Sequence, residues 1–194
     1  MKTLSSIFLA GAVLFGISCT GGQKKSSDEA EAEEKTVAVV EEAAPNELTE
    51  DEKEEGWMLL FDGETSQGWR GVNQESFPAG WQVVNGTLHC KESGKGEAGA
   101  EDGGDILYEQ QFSNFHMKFE WKISEGGNSG VFYLGQEVEG EPIWKTAPEF
   151  QVLDNAKHPD AMLGENGNRQ AAALYDLIPA DPQNTKPAGE WNSA

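Results

Sequence analysis

From Trp57 onward, apolar and polar residues alternate in short runs separated by Gly, Asn and Asp. The cleanest run is Phe115, Met117, Phe119, Trp121 and Ile123, interleaved with His116, Lys118, Glu120 and Lys122. Successive side chains on a strand point to opposite faces, so this run predicts a strand with one apolar and one charged face. Trp57-Met-Leu-Leu-Phe-Asp-Gly predicts a strand ending in a turn. Trp81-Gln-Val-Val and Thr87-Leu-His-Cys flank Asn85-Gly86, a pair suited to the type I′ turn that follows strand twist, and a hairpin is expected there. Ser129-Gly-Val-Phe-Tyr-Leu and Glu149-Phe-Gln-Val-Leu-Asp continue the series. No convincing helical stretch or internal repeat interrupts it. The expected fold is an all-β sandwich or jelly roll.

The first 56 residues break this pattern. Lys2 precedes an apolar run from Ile7 to Ile17, and Gly16 and Ser18 come just before Cys19. That order reads as a secretory signal, too short for a membrane-spanning helix. Cys19 sits where a bacterial lipoprotein carries its lipidated cysteine; an ordinary cleaved signal with an incidental cysteine is the alternative. Residues 20–56 are rich in Glu, Ala and Lys and hold no aromatic residue, too little apolar surface to offset the entropy of ordering. They read as a disordered acidic tether, with room for a short helix around Glu47–Glu55. The expected organisation is a signal peptide over 1–19, a tether over 20–56 and a β domain over 57–194.

Charge narrows the function classes. The chain has 34 acidic against 14 basic residues, a net charge of −20, which excludes the basic footprint that nucleic acid requires. It also opposes electrostatic docking on anionic lipid, so membrane association is expected only through the lipid anchor. The hydrophobic fraction of 37% is low for a wholly folded chain and agrees with a tether. Only two cysteines are present, Cys19 and Cys90. With Cys19 lipidated, the domain folds on core burial rather than on a disulfide.

Several motifs carry no chemistry. Gly94-Lys-Gly-Glu-Ala-Gly99 matches GxGxxG, but Ala100-Glu-Asp-Gly-Gly-Asp follows in place of the helix that a pyrophosphate needs. Glu101, Asp102 and Asp105 could hold Ca²⁺, yet their spacing is not that of an EF-hand and solvated acids explain them better. His89, His116 and His158 show no paired metal spacing, and no GxSxG elbow occurs. No metal is assigned, and the cofactor is left unknown with a divalent ion open.

The polar strand faces remain. Residues two apart on a strand lie about 6.5–7 Å apart on one side, which pairs Glu120 with Lys122 and Glu149 with Gln151. An exposed ion pair accounts for Glu120 and Lys122 on its own. Glu149 is followed by Asp154, Asn155 and His158 within one short loop. A carboxylate, an amide and an imidazole at a strand end suit general acid–base chemistry or sugar binding; turn formation by Asp and Asn is the structural alternative.

Eight ordered blocks carry a family resemblance. They are Trp57-Met-Leu-Leu-Phe-Asp-Gly with Gly68-Trp69, Trp81-Gln-Val-Val-Asn-Gly-Thr-Leu, Gly103-Gly-Asp-Ile-Leu and Phe119-Glu-Trp-Lys-Ile. Gly127-Asn-Ser-Gly-Val, Pro148-Glu-Phe-Gln-Val-Leu-Asp-Asn, Ala173-Leu-Tyr-Asp-Leu-Ile-Pro and Gly189-Glu-Trp-Asn-Ser follow. Together they resemble the 3-keto-disaccharide hydrolase domain over nearly all of residues 57–194.

The resemblance implies a concanavalin-like jelly roll acting on a 3-keto glycoside or disaccharide, supplied by an upstream sugar 3-oxidoreductase. The family domain continues past the last block, so a C-terminal truncation with an unpaired sheet edge is expected. A ketone at C3 acidifies the C2 proton; elimination of the C1 substituent and hydration would complete a net hydrolysis. Strand parity together with the resemblance nominates Glu149 or His158 as base, with the other assisting the leaving group, and Lys122 as the enolate-stabilising cation. Glu120, Gln151, Asp154 and Tyr175 would orient the sugar, with Asn128, Ser129 and Tyr133 on the neighbouring strand and Trp144 stacking on a sugar face. The rival readings are a non-catalytic lectin of the same fold and a structural envelope lipoprotein. The expected location is the bacterial cell envelope, anchored to the outer membrane through Cys19.

Overall fold

The computed structural model describes residues 44–91 and 103–194, which belong to the compact unit Glu41–Ala194. The leader, Cys19, most of the tether, the Gly94–Gly99 motif, Glu101 and Asp102 lie outside the described residues. Within the segment read as tether, α1 spans Glu50–Glu54, inside the range allowed for a short helix. It is closed by a capping box: Thr49 Oγ1 accepts the Glu52 amide and the Glu52 carboxylate accepts the Thr49 amide, each at 3.1 Å. The helix buries no residue of its own. Contacts with the β domain come from Glu52, which takes an ion pair from Lys118 at 3.2 Å, and from Trp57, which lies beneath the same ammonium at 4.1 Å.

The fold is all-β. Its strands are β1 (Trp69–Gly71), β2 (Trp81–Val84), β3 (Thr87–Cys90), β4 (Ile106–Tyr108), β5 (Glu120–Trp121), β6 (Asn128–Phe132), β7 (Glu149–Leu153) and β8 (Asn192–Ser193). They form four antiparallel pairs, β1 with β4, β2 with β3, β5 with β8 and β6 with β7. The expected hairpin is β2–β3, and its turn residues Asn85 and Gly86 both take positive φ, 50° and 71°, as a type I′ turn requires.

Two expected strands are shorter or absent. Of the Phe115–Ile123 alternation only Glu120–Trp121 forms a regular ladder, against β8, extended by reciprocal bonds between Phe119 and Ala194 at 2.9 Å. Trp57–Gly63 forms no ladder. Its amide end is drawn into the helix terminus, with the Trp57 N–H donating to Glu52 O. At its other end the Asp62 carboxylate accepts the Glu64 and Thr65 amides and turns the chain.

The core gathers Trp121, Val152, Leu153, Ala161 and Ala171, with Phe119, Ile123, Val131 and Phe150 packed against them. Phe119 and Phe150 meet edge to face at 5.3 Å, a favoured aromatic geometry. Phe150 and Val152 alternate along β7 with Glu149 and Gln151, which project from its other face together with buried Leu153. Core packing thereby orients the polar face.

Candidate functional site: a carboxyl platform on β7

The β6–β7 register sets Phe132 opposite Glu149 and Gly130 opposite Gln151. A third segment lies along the other edge of β7: Tyr175 N–H donates to Glu149 O, Gln151 N–H donates to Ala173 O, and Phe150 bridges Leu174. Antiparallel partners share a face. One row therefore reads Phe132, Glu149, Tyr175, and the next reads Gly130, Gln151, Ala173. Small residues flank the glutamine, and aromatic residues flank the carboxylate.

Gly130 leaves space that Glu149 fills. A Cβ at Gly130 would lie 2.6 Å from Glu149 Cδ and 2.7 Å from Cγ, and closer still to Oε1. The carboxyl thus lies across the glycine. Burial raises its proton affinity, and the nearby charges of Asp105 and Asp160 add to this, pushing the pKa up to about 7. Gln151 is 1% exposed, and its Oε1 has no hydrogen-bond partner among the described residues. A buried acceptor left unmet is costly, which marks a place for a donor.

A turn lies beside this face. His158 precedes the 3-10 segment Pro159–Met162, and its Nδ1 accepts the Asp160 amide at 3.2 Å. The neutral ring therefore carries its proton on Nε2. Buried Asp160 accepts the Tyr175 hydroxyl at 2.9 Å and Arg169 Nη1 at 3.1 Å. Arg169 also forks onto Asp176 at 2.8 and 2.9 Å. Burial and the bond to Asp160 push the Tyr175 phenol up to about 12.

Glu149, Gln151 and Tyr175 thus share one platform, and His158 caps the turn that brings Asp160 to it. Glu120 and Lys122 likewise project away from the core. Trp121 between them points into the core, and the Lys122 ammonium, just beyond β5, lies 4.8 Å from the Trp191 ring. Asp154 is buried, with its oxygens accepting the Gly126 amide at 2.7 Å and the Ala156 amide at 3.0 Å. Chiefly the Gly126 bond holds its carboxyl below the usual range, so it serves the loop backbone. Asn128 and Ser129 are exposed at the start of β6, and Tyr133 follows its end. Trp144 is 61% exposed on a short 3-10 turn, with Lys145 above its ring.

Residues that the strand reading passed over are Gly130, Asp160 and Arg169. Gly130 had a signal, lying within Gly127-Asn-Ser-Gly-Val directly ahead of an apolar run. Asp160 stands two residues beyond His158, while nothing local ties Arg169 to either aspartate.

A half-buried carboxyl whose pKa burial pushes up, beside a phenol and an unmet acceptor, makes this the candidate site on an all-β scaffold. Comparison with known proteins shows the family to which this scaffold belongs. Residues 56–194 match the model of the 3-keto-alpha-glucoside-1,2-lyase-like domain, and the chain belongs to that family, as its ordered motifs implied. It is 46% identical over 200 residues to the 3-keto-disaccharide hydrolase of Bacteroides thetaiotaomicron, covering 96% of this chain and 68% of that protein. A crystal structure from Parabacteroides distasonis, provisionally assigned as a glycosyl hydrolase, superposes with a TM-score of 0.63 at 32% identity. That match covers 76% of this chain and 66% of the solved one, so the chain spans about two thirds of either relative.

Proposed function

We propose that this protein cleaves glycosides already oxidised to a ketone at C3, on a concanavalin-like jelly roll. The observation that carries this reading is Glu149, a half-buried carboxyl with a pKa near 7 held across Gly130. Removing a proton α to a ketone calls for a base matched to working pH, and it does not need the paired carboxylates of an oxocarbenium mechanism. Glu149 takes the C2 proton, and the electron pair moves into the C3 carbonyl as an enolate. Collapse of the enolate expels the C1 substituent, which leaves with its bonding pair and is protonated. Water added across C1 and C2 completes a net hydrolysis.

The remaining groups divide the other tasks. Because Nδ1 of His158 is taken by the Asp160 amide, this side chain acts as a donor toward the leaving oxygen, and Glu149 is the base. Tyr175 and the Arg169 guanidinium supply polar and cationic surroundings for the enolate, beside Lys122 as the other candidate cation.

The test is turnover by the full-length protein of a 3-keto glucoside and its unoxidised parent. Only the ketone should be cleaved, with a primary isotope effect when C2 carries deuterium. A lectin would release both sugars unchanged, and cleavage without an isotope effect would remove proton abstraction from the slow step.

In the same reading the domain is held to the bacterial outer membrane by a lipid on Cys19 through its acidic tether, downstream of an enzyme that oxidises sugars at C3. Metabolic labelling with an alkynyl fatty acid should mark the wild-type protein and not Cys19→Ala. Equal labelling of both would end the anchor assignment.

A further inference from the structure

Asp160 is the one charged group that touches the platform from the turn above it, and no sequence motif singles it out. It is 7% exposed. Burying a carboxylate is expensive unless it is paired and hydrogen-bonded, and here Arg169 and Tyr175 meet both conditions. Arg169 is itself braced by its fork on Asp176 and lies 5.3 Å from the Tyr175 ring centroid. Tyr175 in turn is the strand partner of Glu149. The chain of contacts runs from Asp176 through Arg169 and Asp160 to the residue beside the base.

We propose that Asp160 is a positioning residue for Glu149: fixed by Arg169, it anchors the Tyr175 hydroxyl and sets the charge that the Glu149 carboxyl faces. This rests on the reading of Glu149 as the proton acceptor. The charged and titratable groups around Glu149 are Asp105 ahead of β4, His158 and Asp160 on the turn, and Tyr175, Arg169 and Asp176 on the adjoining segment. Asp160 and Asp105 are the two whose charge acts on Glu149 directly. Of these, Asp160 alone is held by a cation and a phenol of the platform. The bond it accepts from Tyr175 also leaves the phenol oxygen's lone pairs to face a bound sugar.

The inference is tested by isotope-edited infrared titration of the Glu149 carboxyl in the full chain, with its band assigned by subtracting Glu149→Gln. Asp160→Asn keeps the shape and removes the charge, so the midpoint should fall by about one pH unit, a tenfold weaker proton affinity. Arg169→Gln removes the compensating cation and leaves Asp160 charged, so the midpoint should rise. A purely structural role would admit water in both variants and move both midpoints down, toward an ordinary glutamate. Shifts of opposite sign support the inference; common shifts or none overturn it. If Asp160→Asn does not fold, Arg169→Gln decides alone, since only a rise agrees. The titration needs no substrate, so its failure is distinct from failure of the 3-keto reading, which turnover alone tests.

Discussion

Gly130→Ala should fold normally and lose about 100-fold or more of its turnover, because a misplacement of about 1 Å at a reacting group costs that much. An added methyl would meet the Glu149 carboxyl and Cγ at distances that no packed structure holds, Cδ at 2.6 Å and Cγ at 2.7 Å. What must give way is the outer part of a flexible side chain rather than backbone, and Glu149 is only half-buried. Gly130 also has no left-handed φ that alanine would strain. Alanine restricts the unfolded chain, a gain of about 0.4–1 kcal/mol at a compatible site, which offsets part of the contact strain. Denaturation midpoint and turnover should therefore separate: the first nearly unchanged, the second collapsed. The displaced carboxyl would be solvated, so its pKa should return toward the ordinary glutamate range. Full turnover by Gly130→Ala would mean that Glu149 does not act from this position.

The same glycine shows how far a sequence can be read. Alternation along Glu149-Phe-Gln-Val-Leu was enough to put Glu149 and Gln151 on one face and Phe150 and Val152 on the other; the core takes Phe150 and Val152, and at the end of the strand it also takes Leu153 from the Glu149 face. Asn85-Gly86 identified its hairpin because the turn chemistry is local. The surroundings of Lys122 are less legible. Period two says that it faces away from Trp121, but not whether that outer face meets another strand or solvent, and it meets Trp191. Trp57–Gly63 has strand-like composition, yet its ends are bonded to a helix and to a side chain rather than to a neighbouring strand. Asp160 was beyond reach for a further reason. It arrives at the platform by a turn beyond β7 and is held there by Arg169, a pairing that depends on the path of the chain and not on any spacing.

Glu149→Gln should abolish most activity and at the same time make the protein more stable at alkaline pH. The amide keeps the size of the carboxyl and cannot take a proton, so kcat/KM should fall about 10²- to 10⁴-fold, the usual worth of a positioned base. The stability effect follows from linkage. An ordinary glutamate has a pKa of 4.5 and this one about 7 in the folded protein, so the folded state holds the proton more tightly than the unfolded chain does. The neutral carboxyl's contribution is complete below pH 4.5 and is lost as pH rises through about 7. Above that it levels off at a deficit on the order of 2–3 kcal/mol, which the uncharged glutamine never incurs. Wild type and variant should unfold together near pH 4, diverge through neutrality, and differ at pH 8 by a Tm on the order of 5–10 °C in favour of Glu149→Gln. In the active protein the same ionisation works the other way, and kcat/KM should climb with pH through about 7 as the base loses its proton. The rise in activity follows the folded-state ionisation alone, whereas the loss of stability sets in above pH 4.5, where the unfolded chain ionises, and levels off once the folded carboxyl ionises near 7. Superimposable pH–stability curves for wild type and Glu149→Gln would show that the carboxyl is not held in a strained ionisation state, and the case for it as the base would fall with that.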